Sequence, residues 1–70
     1  MKHVVRDKTT RAYLSSEGKW VDDCLLAQDF QDVKSAFRTV DKLKLKNAEL
    51  VLMMGQTPSE AYDVTLPLGR

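Results

Sequence analysis

The 70-residue chain predicts an α+β fold, a small antiparallel β-sheet with one α-helix packed on a face, in the order β-β-β-α-β-β. Three observations carry this. Residues 29–47 hold the one long stretch with a helical apolar period. Short β-prone runs stand on both sides of it, and a clean alternation closes the chain at Tyr62-Asp63-Val64-Thr65-Leu66. Residues 1–70 make a single domain, near the lower limit of what folds without disulfide or metal staples.

Each element has its own warrant. Val4 and Val5 form a short β-prone start, and Asp7-Lys8-Thr9-Thr10 is polar enough to turn. Ala12-Tyr13-Leu14 and Lys19-Trp20-Val21 read as two strands of a hairpin. Ser15-Ser16-Glu17-Gly18 makes the loop between them, with Gly18 at the positive-φ position that closes it. One of Asp22 and Asp23 caps a single helical turn through Cys24, Leu25 and Leu26.

In the helix, Val33, Ala36, Phe37, Val40 and Leu43 fall on one stripe, and Asp32 stands where it can cap the first turn. Phe30, Phe37 and Val40 are the expected core. A left-handed Lys44 would turn Leu45 back onto Val40, the usual hydrophobic contact of a Schellman ending. Glu49–Met54 is the strongest strand candidate, Gly55–Ser59 is a loop by composition, and Pro67, which fits only the end or the edge of a sheet, stops the last strand.

Composition excludes several functions. Eleven Lys and Arg against ten Asp and Glu leave a net charge of +1, with no general pull toward nucleic acid or anionic membrane. The apolar run Leu50-Val51-Leu52-Met53-Met54 is far too short to span a bilayer. Charge returns after Met1-Lys2-His3-Val4-Val5 before a signal-peptide core can form, and the lone Cys24 permits no internal disulfide. A cytoplasmic protein held together by a small core is expected.

Residues that might carry chemistry have plainer uses. Asp22 and Asp23 are adjacent and do not converge as metal ligands would, so a cap is expected. His3 has no second ligand spaced to join it, and Cys24 has no nearby base. Neither a phosphate-cradling Gly-rich loop nor a nucleophile elbow is present. No enzyme, cofactor or metal is expected.

Two binding signals remain. In Leu50–Met54 both faces are apolar. If Leu50, Leu52 and Met54 lie under the helix, Val51 and Met53 face the other side of the sheet, where one helix cannot cover them. They are the candidate partner-binding residues: this face, or the strand edge beside it, would hold a protein partner or a second copy of the chain as a homodimer. The plainer account is a central strand whose back the Trp20 hairpin covers in part. The alternative signal is basic: Lys34, Arg38, Lys42 and Lys46 recur every four residues, a stripe that could meet a nucleic-acid backbone. Against it, acids before the helix and lysines toward its end already match the helix dipole, and no aromatics interleave for bases to stack on.

The run Tyr13-Leu14, Gly18, Trp20, Asp23, Ala27 and Phe30, with the closing Tyr62-Asp63-Val64-Thr65-Leu66-Pro67, resembles a pattern in small uncharacterised proteins of bacteria and their phages. The resemblance covers most of the chain and brings no catalytic residue with it. It implies a compact intracellular module of microbial or phage origin. The expected function is therefore a small non-enzymatic protein-binding module, such as a phage-encoded inhibitor that blocks a host system by steric occlusion. A small nucleic-acid-binding protein is the alternative.

Overall fold

The computed structural model describes residues 2–55 and 63–68. Among them are five strands in one antiparallel sheet: β1 (Lys2–Asp7), β2 (Tyr13–Leu14), β3 (Trp20–Val21), β4 (Ala48–Met53) and β5 (Val64–Pro67). Their spatial order is β3-β2-β1-β4-β5. A single 3₁₀ turn, Cys24–Leu26, and the helix α1 (Val33–Leu43) lie between β3 and β4. The α+β class and the order of elements are those the sequence predicts. The loop expected over residues 56–59 and the strand start at Tyr62 lie outside the described residues.

The centre of the sheet is longer than its apolar residues suggest. β1 pairs with β4 over six residues, from Lys2 opposite Met53 to Asp7 opposite Ala48. Only Val4 and Val5 of β1 are hydrophobic, so the alternation that marks a strand is missing from its flanks. Both valines are fully buried, one on each face. β4 itself is one residue earlier than expected, and Met54 stands exposed beyond it, its N–H donating to Asp63 Oδ1 at 3.1 Å.

Local signals are realised as written. Gly18 has φ 78° and closes the hairpin loop, its N–H donating to the Ser15 carbonyl at 3.0 Å. Asp23 Oδ1 accepts from Leu25 N–H (2.9 Å) and Asp32 Oδ1 from Ser35 N–H (2.8 Å), which satisfies orphan donors of the two helical starts. At the end of α1, Lys44 is left-handed with φ 54°. Its N–H reaches the Asp41 carbonyl (3.2 Å), and Leu45 N–H reaches that of Val40 (3.0 Å). This is the Schellman pair of bonds.

The sheet has a core on each side. On the helix side, Val5, Leu14, Ala48, Leu50 and Leu68 pack with Phe30, Ala36 and Val40. On the other, Val4, Tyr13, Val51 and Met53 pack with Ala27, and Val21 and Cys24 close the margin. The helix stripe thus splits differently from expectation. Ala36 and Val40 are buried, but Phe37, expected in the core, is 48% exposed and Leu43 is also largely open. The small Ala36 sits at the contact and brings the helix backbone close to the sheet, and the flanking Phe37 lies beyond what β1 and β4 cover.

Val51 and Met53 do point away from the helix, but that face is not open. They are 2% and 1% exposed. After β3 the chain makes its 3₁₀ turn and returns to the end of β2. There Ala27 bridges to Ser15, and Gln28 N–H donates to the Leu14 carbonyl at 3.0 Å. This return lays Cys24 and Ala27 over the far side of the sheet. Phe30 N–H then bonds the His3 carbonyl (2.8 Å), and the chain crosses to the helix side. A covering layer comes from a segment too short to be counted as one in the sequence.

Candidate interaction surface

With Val51 and Met53 buried, apolar side chains stand exposed elsewhere: Leu25, Leu26 and Met54 most of all, Trp20 and Leu43 in part, and Phe37, Val64 and Leu66, which the strand geometry brings to one region. β5 is an edge strand, paired through Leu66 opposite Leu50 and Val64 opposite Leu52. Leu50 belongs to the helix-side core, so Val64 and Leu66 project from that same face. They are 47% and 38% exposed, because α1 lies over β1 and β4 and stops short of β5.

Phe37 faces this same region. The helix enters beside His3, at the start of β1, and exits to Ala48, which pairs with Asp7 at the end of β1. It therefore runs parallel to β1. The helix-facing residues of β1 send their backbone groups to the β2 side, as Asp7 N–H does to the Ala12 carbonyl (2.8 Å). For L-residues this puts β2 on the right and β4 on the left when the helix is in front and β1 points up. A right-handed helix in that setting turns the residue after the inward Ala36 to the left. Phe37, Val64 and Leu66 thus border one apolar trough between α1 and the sheet edge, with the half-buried Leu52 between them.

The backbone of β5 is also poised outward. Leu68 N–H donates to the Ala48 carbonyl at 3.1 Å, so the even-numbered residues of this segment bond inward to β4. By the alternation of an antiparallel ladder, the N–H and C=O of Thr65 point to the open edge. Pro67, at the strand's last position, contributes only its carbonyl. No charged residue lies within Val64–Pro67 to guard this edge. The opposite edge, β3, is two residues long and flanked by Lys19 and Asp22.

The basic residues occupy the outer side of α1. Lys34, Arg38 and Lys42 are exposed, and none forms an ion pair among the described residues. Lys46 lies past the Schellman ending and does not continue their helical spacing. Asp22 and Asp23 stay apart in role, the second serving as a cap. Cys24 is half-buried against the far-side core, where its carbonyl accepts from Lys2 Nζ at 3.0 Å. Among the described residues no cluster of His, Cys, Asp and Glu is arranged to hold a metal, and no helix is long and apolar enough to cross a membrane.

Sequence reasoning passed over Phe37, Val64 and Leu66 as a surface. The signal was there in part: Val64 and Leu66 alternate on one face, and Pro67 fits only the end or the edge of a sheet. Comparison with protein-family models, curated proteins and solved structures finds no match to this chain.

Proposed function

We propose that this chain is a non-enzymatic protein-binding module whose contact surface is the β5 edge and the apolar trough beside it. One observation carries the reading: three large apolar side chains, Phe37, Val64 and Leu66, stand exposed next to a strand edge with no charged residue within Val64–Pro67, and Asp63 just before it. Native edges of that length are usually blunted by charge, bulges or cover, and an apolar patch beside one is the usual mark of a contact. Such a module acts by occupying a surface, by strand addition or by seating a hydrophobic group in the trough.

The test compares association of the parent with that of Val64→Lys and Phe37→Glu, both at exposed positions. Binding to any protein, including a second copy of the chain, should be lost in these variants and kept in Lys34→Glu. Association unchanged by both substitutions would remove this surface from consideration.

The second reading rests on the outer face of α1, where Lys34, Arg38 and Lys42 stand exposed together. With Lys46 off the helix, about three phosphates would be neutralised, so the log–log dependence of duplex affinity on salt should have a slope of about −3. A protein that retains no nucleic acid at low salt overturns this reading.

A further inference from the structure

We infer that the occupant of the β5 edge is a second copy of the same chain, joined by antiparallel β5–β5 pairing about a two-fold axis through Thr65. The inference rests on the reading that this edge is a protein contact, and goes on to name the partner. Its basis is self-complementarity. Thr65 carries the outward N–H and C=O at the middle of the exposed edge. Two copies related by a two-fold axis there exchange both bonds, N–H of each to C=O of the other.

The side chains agree with that register. With Thr65 opposite Thr65 of the second copy, Val64 of each chain stands directly across from Leu66 of the other on the helix side. These four exposed apolar groups become one row, with a Phe37 bordering it at either end. On the far side the two threonines meet, a favourable cross-strand pair. Pro67 falls at the periphery, so its missing N–H leaves the central pair of bonds intact. Sliding the register by two residues would bring Pro67 nearer the centre and break the apolar row. The net charge of +1 opposes association very little. A four-residue edge with one apolar row is a small interface, of the weak and transient class.

Sedimentation equilibrium on the full chain, from about 1 to about 500 µM, tests this with Thr65→Pro and Val64→Lys alongside the parent. Thr65→Pro removes the outward N–H and leaves the ladder to β4 whole, so its circular dichroism should match the parent's. The expected result is a concentration-dependent dimer whose dissociation constant rises at least about tenfold in each variant. Hydrogen exchange on the unmodified chain supplies a second readout: the Thr65 amide should gain protection as concentration rises. A monomeric parent throughout the range, or a dimer that survives both substitutions with an unprotected Thr65, overturns the inference. In the first case, capture of a different protein by the parent and not by Val64→Lys would still uphold the wider reading.

Discussion

Arg6 and Glu49 stand opposite each other in the two central strands, and both are nearly shut off from solvent. Nε and Nη2 of Arg6 each lie 2.6 Å from Glu49 Oε2, and the exposed Arg11 approaches the same oxygen at 4.0 Å. A buried pair of this kind gains little over apolar residues of equal size, but breaking it strands a charge. Glu49→Ala should therefore cost about 3–5 kcal/mol in urea unfolding. The double replacement Arg6→Met, Glu49→Leu should recover most of that loss. A single mutant near parental stability would mean that water reaches and solvates the Arg6 guanidinium. The half-buried Asp7 and the exposed Asp32 act in another way. Backbone N–H groups of Thr10 and Thr9 hold the Asp7 carboxyl below the usual aspartate range, and that of Ser35 does so for Asp32. Their folded values lie below the unfolded ones. The stabilisation is thus complete above the unfolded aspartate value, near about pH 4, and fades as pH falls through the lower folded values. Thermal unfolding followed from neutral pH down to about pH 2 should show this loss, and Asp7→Asn, Asp32→Asn should flatten that limb. An equally steep acid limb in the double variant would place the sensitivity elsewhere.

The helix shows which parts of an element are legible beforehand. Its cap at Asp32 and its left-handed end at Lys44 are local, set by a few neighbouring residues, and both are as the sequence implies. Which side of the stripe faces inward is not local. Val33, Ala36, Phe37, Val40 and Leu43 span a wide arc, and the phase depends on where β1 and β4 lie beneath it. The structure seats Ala36 and Val40 and leaves Phe37 on the flank. The two phenylalanines therefore make a matched pair: Phe30 is 2% exposed within the helix-side core, Phe37 half open. Phe30→Ala should cost about 3–5 kcal/mol, most of what a domain of this size holds, while Phe37→Ala should cost about 1 kcal/mol or less. Equal losses in denaturant titrations would mean that Phe37 is buried in solution, as it would be in a tight dimer, and dilution would then separate their costs.

At the scale of the whole molecule, the sequence supports the fold class and the element order but leaves the cover of the sheet open, between a bare far face and one covered in part by the Trp20 hairpin. Counting one helix for one face left Val51 and Met53 without cover, since Asp22–Phe30 has no extended period that announces a layer. Its contribution comes from tertiary placement: Cys24 and Ala27 settle on the far side because the chain must return from the edge strand β3 to the helix side of the sheet. Pro67 makes the end of β5 legible but not its place at the sheet edge, because the residue pattern does not set strand order. One consequence concerns cooperativity. The two cores share β1 and β4, with Val4 and Val51 on one side directly beside Val5 and Leu50 on the other, so neither layer can stay packed once the other is lost. Val51→Lys, Met53→Lys places two ammonium groups in the far-side core, where the one buried carboxylate among the described residues is Glu49, already bonded to Arg6. The expected cost exceeds about 4 kcal/mol, a large share of the stability such a domain has, and should unfold both layers in a single transition. Far-ultraviolet circular dichroism and the Trp20 fluorescence should then change together at low denaturant. A double mutant that stays folded and loses only its capacity to associate would mean that the far face opens in solution, and that Val51 and Met53 are contact residues after all.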